Sequence, residues 1–361
     1  MTKRSCDSDD IILGKCSWNN RSEVMKFDKI LLLAQNALGD VILTTGFVKA
    51  VRDHFPESKI AFLMAPFAAE LMQLPFVDEV IAYTKGMPMF PVIRKIWRYD
   101  VAMCLDFKYR SAVIPFFARI PVRAGIAHKR KLFMTHAVAR NPKHEEMYFG
   151  DHLVDIMDRA IGLKLTGDVS HLYVAAATTK DRNKADEMLV DIEWEGIKIA
   201  IAPFSSTTMK DWGIEKYRAF MDILRKRYTT IQFILIGGEN ECGRGFPVLS
   251  DTVDLRGKLK ITETAEVLRR MDYFIGSCSA PVHVATAVGL PSMVFYGPGS
   301  PAKWAPRHKC VTLSHPQVCT PCDAVGYGKT CRGNNVCMQQ ITVEEAVDSF
   351  ERLMEKYPRK S

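Results

Sequence analysis

The chain contains 361 residues, of which 47% are hydrophobic and 25% are charged, and its formal net charge is +8. This composition excludes a fibrous or wholly disordered protein and suits a globular chain long enough for two domains. No apolar run reaches the roughly 20 residues that a membrane-spanning helix needs, and residues 1–26 lack the apolar core of a signal peptide. We therefore expect a cytoplasmic protein.

Strands and helices are predicted to alternate over residues 27–175, after a polar segment, residues 1–26, that we predict to be a flexible extension. The run Lys29–Ala34 is apolar, as is typical of a parallel strand buried on both faces. Asp40 follows in a Leu-Gly-Asp-Val turn, and we predict that it begins a helix reaching about His54. The other strands of this half are predicted at Lys59–Met64, Glu79–Tyr83, Val101–Leu105 and Val122–Ile126.

A second unit of alternating strands and helices is predicted over residues 176–342, with a polar connection around residues 165–179. Its strands are predicted near Lys198 and at Ile231–Gly237, Asp272–Ile275 and Leu290–Tyr296. An amphipathic helix, Val343–Lys356, is predicted within a C-terminal segment of residues 343–361. The pattern therefore indicates an α/β fold with two doubly wound domains.

The stretch Met271–Pro306 predicts a strand, a turn of small residues, a helix and a second strand in unbroken succession. The turn, Ser277–Pro281, leads directly into the helix, and His283 lies near the start of that helix. Free backbone N–H groups and the positive end of the helix dipole at such a turn suit a phosphate group. We therefore expect a ligand that carries phosphate.

Nine cationic residues lie between positions 108 and 143, and no carboxylate lies among them. Such a run attracts phosphate, acidic sugars or anionic lipid, although a solvated surface is the simpler explanation. We do not expect nucleic acid as a partner, because no recognisable nucleic-acid motif interleaves aromatic residues with these charges. The nine residues are Lys108, Arg110, Arg119, Arg123, Lys129, Arg130, Lys131, Arg140 and Lys143.

Four of the ten cysteines lie close together in a loop, residues 316–338, as Cys319-Thr-Pro-Cys322 followed by Cys331 and Cys337. In a reducing compartment this spacing indicates a metal site more than disulfides. Four thiolates form a closed tetrahedral site for one structural zinc ion, and the same set also suits iron. Unligated thiols are the alternative, because the spacing is looser than that of paired Cys-x-x-Cys motifs.

Two separated motifs of this chain occur in the same order in a known enzyme family. The first is an apolar strand followed by the Leu-Gly-Asp-Val turn, within Leu31–Thr45. The second, from Ser277 to Pro306, contains S-x-S-x-P-x-H, A-T-A-x-G-L-P, an apolar strand, Y-G-P-x-S-P and W-x-P. This combination resembles glycosyltransferase family 9, the bacterial lipopolysaccharide heptosyltransferases. The resemblance implies two Rossmann-like domains that face each other across a cleft, the GT-B architecture.

The resemblance also implies an inverting glycosyltransferase that moves a heptose from ADP-heptose to a lipopolysaccharide-core acceptor without a catalytic metal. We expect the nucleotide-sugar donor in the carboxyl half and the anionic acceptor in the amino half, with peripheral contact to the inner face of the inner membrane. In this family the Asp of the Gly-Asp turn is the expected general base, and Asp40 matches it. Capping of the helix is the alternative role of Asp40.

Further residues match positions that bind the donor in the family. Lys210 matches a lysine that neutralises the leaving pyrophosphate, and Glu241 matches a glutamate that contacts the nucleoside. Cysteine clusters also occur at the place of the cysteines in this chain, and some of them bind iron. The predicted donor-binding set is Ser205, Ser206, Lys210, Glu241, Ser279 and His283, and the predicted acceptor-binding set is Lys108, Arg110, Arg123, Lys129 and Arg130.

Cys278 and Ala280 depart from the family, which usually has Asp and Gly at these two positions. The missing carboxylate is expected to hold the donor sugar or its lysine partner, and a neutral thiol cannot replace it as an ionic partner. Two alternatives therefore stay open: a transferase that uses another sugar nucleotide, and a nucleotide-sugar-binding protein that has lost transfer. The Gly-Asp-Val turn disfavours a hydrolase or epimerase of similar architecture.

Overall fold

Two parallel six-stranded sheets with helices packed on them make up the fold, which confirms the predicted α/β class. The computed structural model describes residues 26–192, 195–246, 248, 250–322, 331 and 334–359. The predicted N-terminal extension, residues 1–26, lies outside the described residues apart from Lys26. Within the described part of the chain, no helix is long and apolar enough to cross a membrane.

The amino-half sheet consists of β1 (Lys29–Ala34), β2 (Lys59–Met64), β3 (Glu79–Ala82), β4 (Val101–Cys104), β5 (Val122–Ile126) and β6 (His136–Val138). Its helices are α1 (Leu38–Leu43), α2 (Thr45–His54), α3 (Pro66–Ala69), α4 (Met89–Lys95), α5 (Tyr109–Phe117) and α6 (Phe149–Ile161), with 3₁₀ helices at His128–Phe133 and Pro142–Glu145. The strand order across the sheet is β3-β2-β1-β4-β5-β6.

The carboxyl-half sheet consists of β7 (Ile197–Ala202), β8 (Ile231–Leu235), β9 (Thr252–Asp254), β10 (Tyr273–Ser277), β11 (Ser292–Tyr296) and β12 (Cys310–Ser314). The helices are α7 (Thr179–Met188), α8 (Ile214–Arg227), α9 (Ile261–Arg269), α10 (Ala280–Ala287), α11 (Pro301–Trp304), α12 (Val336–Gln339) and α13 (Val343–Lys356), with 3₁₀ helices at Thr208–Lys210 and Glu239–Glu241. The strand order is β12-β11-β10-β7-β8-β9. Helix α7 packs against α9 of the same half. The predicted domain boundary at residue 175 stays a prediction.

All the strands that the sequence predicts are present, but β6, β9 and β12 are additional. These three are edge strands, which are less buried than central strands and therefore carry a weaker apolar signal. The helix predicted from Asp40 to His54 is divided into α1 and α2. The hydroxyls of Thr44 and Thr45 donate back to the carbonyls of Val41 (2.7 Å) and Ile42 (2.6 Å), a pattern that bends a helix.

The central strands explain the apolar runs of the sequence. In β1, Ile30 lies opposite both Ile60 of β2 and Val101 of β4, and residues 30–33 have no solvent-exposed surface. Strand β10 lies in the same way between β7 and β11. Both strands are covered on each face, so polar side chains there would lose water without gaining a partner.

In each sheet the strands are added outward in one direction from a central strand and then in the opposite direction, which creates a topological switch point. The reversal falls between β1 and β4 in one sheet and between β7 and β10 in the other. In open α/β sheets, ligands bind in the crevice at the carboxyl ends of the strands beside such a reversal. The loops at these two crevices lead to Asp40, Lys108, Lys210 and His283.

A buried carboxylate, Asp106, joins the loops at the amino-half crevice. It accepts hydrogen bonds from the backbone N–H groups of Gln35 (2.6 Å) and Lys108 (2.7 Å) and from the hydroxyl of Ser111 (2.8 Å). Burial raises the pKa of Asp106, and these hydrogen bonds oppose the rise. The loop after β1 and the loop after β4 are therefore fixed relative to each other.

Arg130 completes this contact from the 3₁₀ helix after β5. Its guanidinium lies 3.5 Å from the Asp106 carboxylate and donates to the carbonyls of Asp106, Lys108 (2.9 Å) and Ile126 (3.2 Å). Only 1% of Arg130 is exposed, so the prediction that it binds an acceptor is corrected. A run of charges in a sequence does not show which of its members points inward.

Arg130→Met should lower the free energy of unfolding by about 3–5 kcal/mol, because it leaves Asp106 buried without its cationic partner. The matched control is Arg140→Met, which removes an exposed arginine paired with Glu145 and should cost less than about 1 kcal/mol. Urea denaturation of both variants measures the difference. Equal stabilities would contradict the structural role of Arg130.

Candidate active site between the two sheets

Asp40 lies in the first turn of α1, at the carboxyl end of β1. The N-cap of this helix is Ala37 and no side chain caps it, so Asp40 does not play the capping role that its position in the sequence suggested. No hydrogen bond or ion pair to the Asp40 carboxylate forms within the described ranges. The carboxylate is thus available to a ligand.

Helix α1 of the amino half packs against α10 of the carboxyl half at Gly39. A Cβ atom at this position would lie 3.0 Å from Cδ2 of His283 and 3.4 Å from Cα of Ala280. A larger residue at this position would press on the His283 ring, so glycine suits this close approach. The Gly-Asp turn thereby brings Asp40 beside the N-terminal turn of α10.

The surroundings of Asp40 set its protonation. Desolvation raises the pKa of Asp40 from 3.8 to about 6, and the neighbouring Asp106 contributes to the rise. Three ammonium groups, those of Lys210, Lys108 and Lys303, act in the opposite direction. The result is a carboxylate that is more basic than an ordinary aspartate and still largely ionised at neutral pH.

Lys210 connects the loop after β7 with the start of α10. Its ammonium donates to the backbone carbonyl of Cys278 at 3.2 Å. Burial raises the pKa of the Cys278 thiol, so the side chain that replaces the family carboxylate is neutral. Lys210 therefore bonds a carbonyl here and forms no ion pair with a carboxylate in the part of the chain that the structure describes, although its charge acts on Asp40.

His283 is buried, and its Nδ1 atom has no hydrogen-bond partner among the described residues. Burial, with a smaller effect of Lys210, lowers the pKa of His283 to about 3, so the imidazole is neutral. Ser279 is the N-cap of α10, and its hydroxyl donates to the carbonyl of Ser277 at 3.2 Å. The first-turn N–H groups of α10 are thus not capped by a side chain.

The other predicted donor-binding residues lie around the loops after β7 and β8. Ser205 is buried and its hydroxyl donates to the carbonyl of Thr207 at 2.8 Å, so it shapes the loop, whereas Ser206 is exposed. The carboxylate of Glu241 lies over Gly237, where a Cβ atom would come within 2.3 Å of Oε2. Burial raises the pKa of Glu241.

The predicted acceptor-binding residues divide into two groups. Lys108 and Lys129 are exposed, and Arg110 donates to the side-chain carbonyl of Gln35 at 3.1 Å, beside the crevice. Arg123 instead lies near the beginning of β5, and its guanidinium donates to the carbonyls of Phe133 (2.7 Å) and Ile120. Burial lowers its pKa. Arg123, like Arg130, is thus engaged with the protein.

Lys303 and Glu145 are site residues that the sequence did not reveal. The Lys303 ammonium, on α11, lies 2.8 Å from the carboxylate of Glu145 in the amino half. Burial opposes ionisation of Glu145, but hydrogen bonds from Lys303 and Arg140 lower its pKa to about 2. The one feature of the sequence that could have indicated Lys303 is its place as the single charged residue of the S-P-A-K-W segment. Lys303 thus joins the two halves close to Asp40.

Three side chains that could hold a metal ion lie together elsewhere. They are Asp168, His171 and His308, whose ligand atoms are all within 4.8 Å of one another. The two imidazole rings are stacked, with 3.8 Å between centroids and 11° between planes, and Ser170 Oγ lies 2.8 Å from His308 Nε2. Two nearly parallel stacked rings cannot both point a nitrogen at one ion, so ligation by both would require one ring to turn.

The four predicted cysteine ligands are all among the described residues, but residues 323–330, 332 and 333 between them are not. Cys337 is buried, Cys319 is exposed and Cys322 and Cys331 are intermediate. Burial raises the pKa of the Cys337 thiol, and Cys331 and Cys319 raise it further. Among the described residues, however, no three of these four sulfur atoms lie within 4.8 Å of one another. The metal site itself stays a prediction.

Two Rossmann-like units with candidate ligand-binding residues at their facing crevices define the GT-B architecture. The chain belongs to glycosyltransferase family 9 (heptosyltransferase), whose sequence profile matches residues 93–326. Lipopolysaccharide core heptosyltransferase OpsX of Haemophilus influenzae is 19% identical over 349 residues, which cover 90% of this chain and 96% of the relative. Lipopolysaccharide heptosyltransferase 3 of Escherichia coli is 23% identical over 296 residues, with 74% and 82% covered.

Solved structures share the fold. A glycosyltransferase family 9 protein from Veillonella parvula superposes with a TM-score of 0.77 at 20% identity, covering 92% of this chain and 99% of that one. For E. coli ADP-heptose LPS heptosyltransferase II the TM-score is 0.73 at 17% identity, with 91% and 99% covered. For the iron-containing dodecameric glycosyltransferase TibC of enterotoxigenic E. coli the values are 0.58 and 15%, with 92% and 77% covered.

Asp40→Asn should raise the free energy of unfolding by about 1–2 kcal/mol at about pH 8. The raised pKa means that the folded state carries a desolvation cost once Asp40 is ionised. The gain should therefore decline as the pH falls through about 6 and vanish below about 4, where the carboxyl group is protonated in both states.

Chemical denaturation at several pH values measures this effect. Asp191→Asn, at an exposed position, is the control and should show no such pH-dependent gain. A destabilising effect of Asp40→Asn at about pH 8 would mean that the Asp40 carboxylate has a stabilising partner and is not held for a ligand.

Proposed function

We propose that this protein transfers a heptose from ADP-heptose to the anionic core of a lipopolysaccharide, with inversion at the anomeric carbon. Membership of glycosyltransferase family 9 supports heptosyl transfer. The names of OpsX and of heptosyltransferase II support the lipopolysaccharide acceptor and ADP-heptose, respectively. The observation that carries the proposal is the unbonded Asp40 carboxylate among three lysines where the two halves meet.

The donor diphosphate is proposed to lie at the N-terminal turn of α10. The backbone N–H of Ala280 in this turn and the Lys210 ammonium would hold the phosphate oxygens, because Pro281 has no N–H and the N–H of Val282 donates to the Ser279 carbonyl at 3.2 Å. Both favour the leaving group, because ADP gains negative charge as its bond to the sugar breaks. We assign the nucleoside to the vicinity of Glu241 and Gly237, and His283 and Ser279 to the phosphate side of the same pocket.

The acceptor is proposed to lie on the amino-half side, where Lys108, Arg110 and Lys129 would attract its acidic groups. Asp40 takes the proton of the attacking hydroxyl as its oxygen bonds to the anomeric carbon. The electron pair of the old carbon–oxygen bond leaves with ADP. Attack on the face opposite the leaving group inverts the configuration, and no covalent sugar–protein intermediate is formed.

The cations of the cleft supply the positive charge that this reaction needs. Lys210 is proposed to offset the charge on the diphosphate, while Lys108 and Lys303 keep Asp40 ionised. We therefore propose that catalysis requires no metal ion.

A different sugar nucleotide is the second candidate donor. Cys278 is buried and its thiol is neutral, so the carboxylate that the family usually places beside the donor is absent from this position. Contacts to the hydroxyl groups of the sugar must then differ from the family pattern. This observation affects the identity of the sugar and leaves the role of Asp40 unchanged.

Purified protein incubated with a lipopolysaccharide-core acceptor should transfer sugar from ADP-heptose and not from UDP- or GDP-sugars. Mass spectrometry of the acceptor measures the product, and NMR of the new linkage gives its anomeric configuration. Transfer from a UDP-sugar alone would contradict the heptose assignment, and retention of configuration would contradict the mechanism.

The variant arm of this experiment is Asp40→Asn. Loss of a general base should lower kcat by at least about 100-fold, with ADP affinity nearly unchanged. Asp53→Asn, an exposed aspartate paired with Lys49 on α2, is the matched control and should keep full activity.

We also propose that Cys319, Cys322, Cys331 and Cys337 hold one structural metal ion, zinc or, as in TibC, iron. Thiolates suit both metals, and four cysteines within residues 319–337 are enough for one closed site. The loop is rich in glycine and poor in apolar residues, so burial contributes little to its order. Bound metal would supply that energy and needs no open coordination position.

Elemental analysis of protein purified without a metal-affinity tag should find about one metal equivalent per chain. Cys322→Ser should lower the melting temperature more than it lowers ADP affinity, because the proposed metal is structural. Cys242→Ser, at an exposed cysteine outside the cluster, is the control. Metal-free protein of unchanged stability would show that the four residues are ordinary thiols.

A further inference from the structure

Helix α5 is apolar on its outward face as well as on its inward face. Ala112 and Ile114 are buried against the sheet, but Tyr109, Phe116 and Phe117 are 54%, 40% and 51% exposed. These three positions are spaced by seven and one residues, so they share one side of the helix. A surface helix with apolar side chains toward water indicates a contact with something other than water.

Neighbouring segments enlarge this apolar side. Phe133 packs edge-on against Tyr109 (5.2 Å between centroids) and Phe116 (5.3 Å), and the adjacent Leu132 is 87% exposed. Trp97, just after α4, is 41% exposed, and the Arg119 guanidinium lies 5.6 Å from its ring centroid. We call this surface the aromatic face, which comprises Trp97, Tyr109, Phe116, Phe117 and Leu132.

The aromatic face is surrounded by positive charge. Residues 80–144 contain thirteen Lys and Arg residues and two carboxylates, Asp100 and Asp106. Asp106 is buried, and Asp100 accepts a hydrogen bond from the backbone N–H of Lys29 at 2.7 Å. The cations exposed in the segments that form the face are Arg94, Lys95, Arg98, Lys108, Arg119, Lys129 and Lys131, of which Lys95 is paired with Glu79.

We propose that the aromatic face docks the protein onto the anionic surface of a lipid bilayer. Aromatic rings and Leu132 would enter the boundary between headgroups and acyl chains, where Trp and Tyr are favoured. The surrounding lysines and arginines would bind lipid phosphates. A second copy of the chain fits this surface poorly, because it would bring two basic faces together.

The position of the face agrees with the proposed function, on which this inference rests. Helix α5 begins one residue after Lys108, whose ammonium acts on Asp40 across the amino-half crevice. Arg110, in the first turn of α5, bonds Gln35 in the loop after β1. Docking would therefore bring the acceptor side of the cleft to the membrane surface, where a lipid-borne acceptor lies.

Co-sedimentation of the full-length protein with vesicles tests the proposal. Wild-type protein should bind vesicles of phosphatidylcholine mixed with phosphatidylglycerol, bind pure phosphatidylcholine weakly, and lose binding as salt rises. Phe117→Ser with Leu132→Ser should weaken binding by at least about tenfold. Arg119→Gln with Lys131→Gln should weaken it by about 25-fold, because each cation contributes about fivefold at an anionic surface.

The matched control combines Val190→Ser with Lys180→Gln and Lys226→Gln, at exposed positions outside the aromatic face, and should bind like the wild type. Equal weakening by this control would overturn the proposal. Equal binding of the wild type to anionic and to pure phosphatidylcholine vesicles would also overturn it. A change in oligomeric state of the Phe117 and Leu132 variant on size exclusion would assign the face to a protein interface and overturn it as well.

Activity assays separate this inference from the proposed function. The face variants should transfer sugar normally to a core oligosaccharide that lacks acyl chains, and more slowly to lipid-linked acceptor in vesicles. Transfer by wild-type protein without any vesicle binding would overturn docking and leave the enzymatic function intact. Vesicle binding that depends on the face, without transfer from any sugar nucleotide, would overturn the enzymatic function and support docking.

Discussion

The buried Asp106 carboxylate is the contact on which the amino half of the cleft depends. A carboxylate taken out of water is tolerated only when its oxygens are bonded, and Asp106 uses two backbone N–H groups, the Ser111 hydroxyl and the Arg130 guanidinium. One of those N–H groups belongs to Gln35, three residues before α1 begins. The rigid loop therefore sets where α1 starts and so where Asp40 lies.

The contacts between the two halves place opposite charges around that carboxylate. Gly39 permits α1 to touch His283, and the Lys303–Glu145 pair (2.8 Å) joins the halves beside it. Arg307, which follows α11, and Asp151 on α6 form a second pair between the two halves at 2.6 Å. Because Lys303 comes from the opposite half, the basicity of Asp40 depends on how closely the halves approach. A closed cleft also excludes water, which strengthens each of these electrostatic effects.

The sequence was sufficient for the central strands and for the residues that follow them. Continuous apolar runs predict strands such as β1 and β10, because strands covered on both faces exclude polar residues. Asp40, Lys210 and His283 were predicted as site residues because each follows such a strand and matches a family motif. The structure brings these three residues together. Their catalytic and binding roles stay predictions, as do the metal site and the domain boundary.

Other features depend on tertiary contacts that a sequence pattern does not encode. Edge strands such as β6 lack a strong apolar signal, and the bend between α1 and α2 arises from two threonine side chains. Arg130 belongs to a basic run but points inward, toward a carboxylate that lies 24 residues earlier. Lys303 likewise has a distant partner, because Glu145 precedes it by 158 residues. Both arginine and lysine acquire their roles only when the chain is folded.

The pH dependence of kcat/KM, measured for wild-type protein and for Lys303→Met, tests the central claim that Asp40 is the base. Because the pKa of Asp40 is about 6, kcat/KM should fall about tenfold per pH unit below that value. Lys303 lowers this pKa, so its loss should move the acid limb to higher pH, whereas Lys309→Met, at an exposed lysine that does not join the halves, should leave the limb in place. A rate that stays constant well below about pH 6, or an acid limb that Lys303→Met does not move, would contradict the account.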